Sequence, residues 1–124
     1  MATLTLDENQ ATYQIRGFKQ GMIRINDTTY LESVIVSANT LITHWPPQHI
    51  QRLTVSDLAI VSTLQPDILL IGTGSEPVFL DAHLYASLIH QGIGVEVMNT
   101  SAACRTFNAL SAENRNVVAA LILS

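Results

Sequence analysis

The stretch from Asp67 to Ser75 constrains the possible folds of this chain more than any other part of the sequence. It reads Asp-Ile-Leu-Leu-Ile-Gly-Thr-Gly-Ser, and its unbroken apolar run leaves neither face of a strand suited to water. That pattern is typical of a strand covered on both faces of its sheet. The glycines allow a sharp turn where the strand leaves the sheet. The sequence therefore predicts a buried strand over 67–72 that ends in a tight loop, Gly72–Ser75.

The second half of the chain alternates strand patterns with helix patterns. The predicted elements are a strand over 67–72, a helix capped by Asp81 and running to Gly92, a strand over 94–98, a helix from about Thr100, and a strand over 117–123. Two strand–helix–strand units in series predict parallel strands with right-handed crossovers. Open α/β sheets bind ligands where their strands end. We therefore expect Gly72–Ser75 and Asn99–Ser101 to lie side by side if their strands are neighbours.

The first half of the chain predicts antiparallel strands separated by turns. The expected elements are strands over 13–18 and 22–26 joined at Gly21, a turn over Asn26–Thr29, and strands over 32–38 and 41–45. These segments alternate apolar with polar residues and are bounded by glycine, asparagine and aspartate, as hairpin strands are.

A break and a short helix are predicted between the two halves. The two prolines after Trp45 end regular strand pairing because proline has no backbone donor. A helix is expected over 56–64, with Ser56 as its N-cap and Pro66 just beyond its end.

Composition limits the class of protein. At 124 residues, 48% apolar and 13% charged, the chain suits a single folded domain over 1–124 and not a disordered segment. A formal charge of −4 argues against nucleic acid as a partner. The polar residues 1–12 predict a loose lead-in without a signal peptide, and no apolar run approaches the ~20 residues that span a bilayer. With one cysteine, which suits a reducing compartment, these features predict a cytoplasmic protein without a transmembrane segment.

The glycine loop lacks the residues of a nucleotide-binding site. A dinucleotide fingerprint needs a third glycine where this chain has Pro77, and a P-loop needs a Gly-Lys-Ser/Thr sequence that is absent. A helix should also start at once to offer its amides to a phosphate, but Glu76 to Leu80 intervene. A structural turn is the first interpretation, and a small anion or polar ligand on the loop amides is the alternative.

Cys104 follows closely on the start of its predicted helix, where the helix dipole can lower the pKa of a thiol. Asn108 lies one turn further on, so a Cys-His-Asn nucleophile set is conceivable, although no histidine is tied to it. Cysteines beside small residues are more often packing residues. The candidate ligand-binding residues are therefore Gly72, Thr73, Gly74, Ser75, Asn99, Thr100, Cys104 and Asn108, with no residue assigned as catalytic.

The histidines do not predict a metal site or any other bound cofactor. His83 and His90 are seven residues apart on one predicted helix, about 10 Å along its axis, and cannot chelate the same ion. His44 and His49 flank the proline turn and could approach each other, but no third ligand is evident.

Three further features have two interpretations each. Glu96 falls in the middle of a predicted strand, so either it pairs with an arginine or the strand lies at a sheet edge. Trp45 either packs in the core or is exposed as an interface anchor, which would suit a structural homo-oligomer. The cations Arg16, Lys19 and Arg24 predict a solvated face around a turn.

A joint pattern of segments resembles a known family. The segments, in order, are Pro66-Asp-Ile-Leu-Leu-Ile-Gly-Thr-Gly, Gln91-Gly-Ile-Gly-Val-Glu-Val-Met-Asn-Thr, Ala103-Cys-Arg-Thr-Phe-Asn-Ala-Leu, Glu113-x-Arg115 and Val118-Ala-Ala-Leu-Ile. They resemble the small α/β family of unknown function whose eukaryotic relatives include a mitochondrial assembly factor for respiratory complex I, of the NADH dehydrogenase (ubiquinone) type. The match covers about residues 60–123 closely and the first half more loosely. Asn99 stands where this family usually has aspartate.

The resemblance implies a three-layer α/β domain with a central mixed sheet, which agrees with the antiparallel first half and the parallel βαβαβ second half predicted from the strand patterns. It also implies protein-interaction or assembly work more than catalysis, with complex I subunits or assembly proteins as expected partners and no established active site. No cofactor is expected. The alternative is an enzyme or small-ligand binder that uses the Gly72–Ser75 loop and the start of the Cys104 helix.

Overall fold

The computed structural model describes residues 11–124, so the lead-in expected over 1–12 lies almost wholly outside the described part. The strands are β1 (Ile15–Lys19), β2 (Met22–Ile25), β3 (Thr28–Tyr30), β4 (Val34–Ser37), β5 (Leu41–Ile42), β6 (Ile68–Gly72), β7 (Gly94–Met98) and β8 (Val117–Leu121). The helices are α1 (Val55–Leu58), α2 (Ile60–Leu64), α3 (Ala86–His90) and α4 (Thr100–Ala112), with short 3-10 turns over Ile50–Arg52 and Ala82–Leu84.

A five-stranded mixed sheet in the order β5-β4-β8-β6-β7 forms the centre of the fold. β6 is parallel to both β7 and β8, whereas β4 is antiparallel to β8 and to β5. Strands β1, β2 and β3 form a separate antiparallel sheet. The prediction of an α/β fold with an antiparallel first half and a parallel βαβαβ second half is confirmed.

The central strand β6 is covered on both faces, as its unbroken apolar run predicts. Leu69 and Ile71 are fully buried in the cluster that also contains residues of α1, α2 and α3. Leu70, between them, is fully buried in the opposite cluster, with residues of α4 and of the three-stranded sheet. Helices α1–α3, the five-stranded sheet, and α4 together with the small sheet therefore make three layers.

The turn predicted over Asn26–Thr29 is wrong in its second half. Only Asn26 and Asp27 form the turn, with Asn26 in the left-handed region at φ 53°, and Thr28–Tyr30 is strand β3. Asparagine tolerates that conformation better than most residues, which allows a two-residue connection between paired strands. The polar β3 forms because its backbone pairs with β2, and its own sequence carries little apolar signal.

The helix predicted over 56–64 is wrong in its start and its continuity. Thr54, and not Ser56, is the N-cap: its hydroxyl accepts from the Asp57 amide at 3.2 Å, and the Asp57 carboxylate accepts from the Thr54 amide at 2.9 Å. This reciprocal capping box satisfies two backbone donors that would otherwise lack partners. The segment also divides at Ala59 into α1 and α2, and Gln65 ends it at φ 48° just before Pro66.

The helix predicted from Asp81 to Gly92 is likewise interrupted. Asp81 does cap the segment, because its carboxylate accepts from the His83 amide at 2.9 Å. Tyr85, which packs against the α1–α3 cluster, has a non-helical φ of −126° and separates a 3-10 turn from the short helix α3.

Candidate functional site

The loop after β6 and the start of α4 are joined through one buried hydroxyl. Thr100 Oγ1 accepts from the Gly74 amide at 2.8 Å and donates to the Ile122 carbonyl at 2.5 Å. The Thr100 amide donates in turn to the Gly74 carbonyl at 2.9 Å. The expected side-by-side placement of the Gly72–Ser75 loop and the Asn99–Ser101 segment is therefore what the structure shows.

Two glycines of this loop allow its close approach to neighbouring segments. A side chain at Gly72 would place its Cβ 2.8 Å from Thr100 Oγ1 and 3.0 Å from Leu121 Cδ2. Gly74 has a φ of +103°, and a Cβ there would overlap the Ser124 backbone oxygen. Both positions therefore accept only glycine without rearrangement.

The backbone donors of the loop are already used inside the protein. The Thr73 amide donates to the Met98 carbonyl at 2.9 Å, and the Ser75 amide donates to the Ser124 carbonyl at 3.2 Å. The Thr73 hydroxyl donates to the Glu76 carbonyl at 2.7 Å. An anion that sought these amides would have to displace existing hydrogen bonds, in contrast to an open phosphate-binding nest.

Cys104 lies in the α4 side of the core. It is the fifth residue of α4, and Asn99, whose side chain accepts from the Ala102 amide at 2.8 Å, caps the helix. Burial raises the pKa of the Cys104 thiol to about 12, and the nearby Arg105 only partly opposes this. At neutral pH the side chain is therefore an uncharged thiol, whereas a nucleophile must be a thiolate.

Asn108 connects α4 to the three-stranded sheet. Its Nδ2 donates to the Ile15 carbonyl at 2.7 Å, and its Oδ1 accepts from the Ile15 amide at 3.1 Å. The carboxamide thus satisfies both backbone groups of Ile15. Nothing in the sequence pairs these residues, which are 93 positions apart.

The structure brings the loop and the start of α4 together but leaves Cys104 and Asn108 outside the cleft beside the loop. Thr73 and Ser75 line a cleft of about 250 Å³, whereas Thr100, Cys104 and Asn108 are used in packing or in hydrogen bonds within the protein. Ligand binding at this set stays a prediction.

The same cleft contains residues that sequence reasoning did not connect with the loop. Ser124 Oγ donates to the Gln48 carbonyl at 2.6 Å and lies 2.9 Å from His49 Nδ1. Both Ser124 and His49 line the cleft with Glu76. No local motif links positions 75 residues apart, so only the fold brings them together.

The other candidate residues have simpler surroundings. Within residues 11–124, no cluster of histidine, cysteine and carboxylate residues could hold a metal ion. His44 Nδ1 instead lies 2.6 Å from Glu32 Oε1 on the surface. Glu96 lies on the edge strand β7, is exposed, and forms no ion pair with the described residues, so the edge interpretation of this residue is correct.

Trp45 is a core residue. It is 3% exposed, and its indole Nε1 donates to the Asp57 carbonyl at 2.9 Å. The interpretation of Trp45 as an exposed interface anchor for a homo-oligomer is therefore wrong. Strand β5 ends at Ile42, so the strand predicted over 41–45 is wrong in its second half, and Trp45 packs in the α1–α3 cluster instead.

Two curated relatives match nearly the whole chain. The chain is 29% identical to the "13 kDa major membrane protein" of Francisella tularensis over 98% of its own length and 100% of that protein. It is 31% identical to the Drosophila melanogaster "NADH dehydrogenase [ubiquinone] 1 alpha subcomplex assembly factor 3" over 97% of its own length, but it spans only 63% of that protein. Within residues 11–124, no helix combines the length and the apolar character needed to cross a bilayer.

A solved structure and a family model agree with these matches. The crystal structure of a Bordetella parapertussis protein, 33% identical, superposes with a TM-score of 0.85 over 92% of this chain and 98% of that one. The family model described as "Protein of unknown function (DUF498/DUF598)" matches residues 15–122. The chain is therefore a member of the DUF498/DUF598 family of proteins of unknown function.

Proposed function

We propose that this chain is a non-enzymatic protein-binding domain that acts in the assembly of a multisubunit complex, with respiratory complex I as the specific candidate. The relative from Drosophila melanogaster is named as an assembly factor of that complex, and the match covers nearly the whole chain. Because the chain spans only 63% of that relative, the transfer of complex I as the partner is part of the proposal.

The observation that carries the protein-binding role is the exposure of Phe79. This side chain is 99% exposed on the segment between β6 and α3. Three more exposed apolar side chains, Val55, Ile60 and Ile89, lie on α1, α2 and α3, the helices that cover the same face of the sheet. Exposed aromatic and large apolar side chains are typical anchors of protein–protein contacts.

Co-purification tests this proposal. The tagged chain, expressed in its native cells and recovered from solubilised membranes, should bring down complex I subunits or their assembly intermediates. Phe79→Ser should reduce that recovery severalfold without lowering the thermal midpoint, because the side chain contacts solvent and not the core.

Leu31→Ser is the matched control. Leu31 is also a large exposed apolar residue, at 72%, but it lies between β3 and β4, outside the helical layer. Its replacement should leave recovery unchanged. A wild-type chain that repeatedly emerges without complex I components would contradict the proposed partner.

We also propose that the chain acts in the cytoplasm. The support is that Cys104 is an unpaired, buried thiol, as suits a reducing compartment. Cell fractionation tests this, and the chain should be recovered in the fraction that contains cytoplasmic marker proteins. Recovery with the marker proteins of another compartment would contradict it.

A further inference from the structure

β7 is the one regular, uncovered strand edge among the described residues. The other edge of the five-stranded sheet is β5, which has two residues. In the small sheet, β3 has three residues, and the pairing of β1 is irregular between Ile15 and Gly17. Short strands and bulges are the usual protection against pairing with another chain. The five residues of β7, Gly94–Met98, have neither.

The backbone of β7 presents donors and acceptors to the outside. The Gly94 amide donates to the Asp67 carbonyl at 2.9 Å, and the Met98 carbonyl accepts from the Thr73 amide at 2.9 Å, so both residues bond towards β6. In a parallel ladder alternate residues bond to the same neighbour. Val95 and Val97 therefore direct their N–H and C=O groups away from β6, where no described strand lies.

An apolar groove follows this edge on the α4 face of the sheet. It has a volume of about 270 Å³ and is lined chiefly by Ile68, Leu70, Met98 and Leu110, with Glu96 and the side-chain-free Gly94 at its outer margin. Helix α4 lies over β6 and β8 and reaches β7 only at its side, which leaves the groove open. A strand added to β7 would direct every second side chain into this groove.

The negative charge of Glu96 at the groove determines which kind of segment can pair with β7. Glu96 is exposed and has no cationic partner among the described residues. Opposite charges on directly facing residues stabilise a strand pair, and like charges destabilise it. In-register antiparallel pairing of two β7 strands would place two Glu96 carboxylates face to face, so a second copy of this chain is disfavoured.

We infer that β7 is a strand-addition site for an extended segment of a protein partner. The segment carries a lysine or arginine opposite Glu96, with apolar residues two positions to either side that enter the groove. Main-chain hydrogen bonds to Val95 and Val97 hold the segment, and the groove and Glu96 select its sequence. This inference rests on the proposed protein-binding function, adds the β7 edge as a second contact surface beside that of Phe79, and specifies the chemistry of the partner segment.

A short peptide tests the site directly. The probe is Ac-Ser-Leu-Thr-Lys-Thr-Leu-Ser-amide, which as a strand places leucine, lysine and leucine on one face. Titrated to millimolar concentration, it should shift the amide NMR signals of Val95 and Val97, and the same peptide with glutamate for lysine should bind roughly fivefold more weakly. Equal binding of the two peptides, or no change at β7, would overturn the inference.

A pair of variants separates this inference from the proposed function. Val97→Pro removes an outward-facing amide while sparing the bonds to β6, a position that an edge strand tolerates. Val97→Ala is the matched control because it trims the same side chain but keeps the amide. In co-purification from native membranes, Val97→Pro should lose the partner and Val97→Ala should keep it.

The outcomes distinguish the two proposals. If the wild-type chain captures complex I components and Val97→Pro does so equally well, the strand-addition site is wrong and the binding function stands. If the wild-type chain captures no complex I component but the lysine peptide shifts Val95 and Val97, the edge site stands and the proposed partner is wrong. Self-association that Val97→Pro abolishes would replace the partner segment with a second copy of the chain.

Discussion

At the scale of single residues, the buried hydroxyl of Thr100 holds the glycine loop in a conformation that resembles a ligand site. Thr100 is fully buried; its hydroxyl accepts from the Gly74 amide in the loop after β6 and donates to the carbonyl of Ile122, the residue after β8. A buried hydroxyl with both partners satisfied stabilises the structure, whereas an unpaired one costs about 1–3 kcal/mol. The glycine loop is thus shaped to meet this hydroxyl, and its pattern does not by itself indicate a bound phosphate.

Gly72→Ala should destabilise the protein. The new Cβ would meet Thr100 Oγ1 and Leu121 Cδ2 too closely, and overpacking of this kind costs about 1–3 kcal/mol. Urea unfolding followed by circular dichroism measures the loss. Gly17→Ala is the control, since no atom lies within 4 Å of its added Cβ, and it should leave stability nearly unchanged. Equal stability of both variants would contradict the close packing at Gly72.

Cys104 should react slowly with thiol reagents. With a pKa raised to about 12 by burial, the thiolate fraction at pH 7 is on the order of 1 in 100,000, against about 1 in 30 for an ordinary cysteine. Labelling with iodoacetamide should be far slower in the native chain than in urea, and should accelerate as pH rises towards 12. Rapid labelling near neutral pH would instead support the predicted ligand or enzyme site.

At the scale of elements, the sequence predicts those helices and strands whose pattern of apolar residues lies within a short segment. The apolar run of β6, the spacing of β7 and the inner face of α4 are each visible within a few residues, and each is present in the structure. Strand β3 is polar and forms because it pairs with β2, so it could not be predicted from its own residues. The placement of β8 between β4 and β6, and of His49 beside Ser124, depends on contacts between distant segments that no local pattern records.

The first turn of α1 offers a paired test of helix capping. Thr54→Ala should lower the free energy of unfolding by about 1 kcal/mol, because it removes the hydroxyl that accepts from the Asp57 amide. Ser56→Ala, two residues on and exposed within the helix, should change it little. Thermal unfolding of the two variants measures the difference. A larger effect at Ser56 would restore the N-cap predicted from the sequence.

Asn108→Ala should loosen the small sheet from α4. It leaves the Ile15 amide and carbonyl without their partner, at an expected cost of about 1–3 kcal/mol. Hydrogen–deuterium exchange should rise in β1 more than in β6. Ala109→Ser, an exposed neighbour on the same helix, is the control and should leave exchange unchanged. If exchange in β1 of Asn108→Ala rose no more than exchange in β6, packing alone would hold β1 in place.

At the scale of the whole molecule, the described sheet edges differ in how well they are protected from pairing with another chain. Three of the four sheet edges are short or irregular, whereas β7 is regular and open. Helices α1, α2 and α3 carry exposed apolar side chains, and Phe79, on the segment between β6 and α3, is more exposed than any of these. The polar groups of the predicted ligand site are largely occupied within the protein. The β7 edge and Phe79 are features typical of protein-binding surfaces.

The amount of assembled complex I in cells that lack this chain shows whether the chain acts in complex I assembly. Native gel electrophoresis of their membranes should show less assembled complex I and more of its subassemblies. The wild-type gene should restore the complex, and Phe79→Ser should not, although it folds. A normal amount of assembled, active complex I in the absence of the chain would contradict the proposed assembly function.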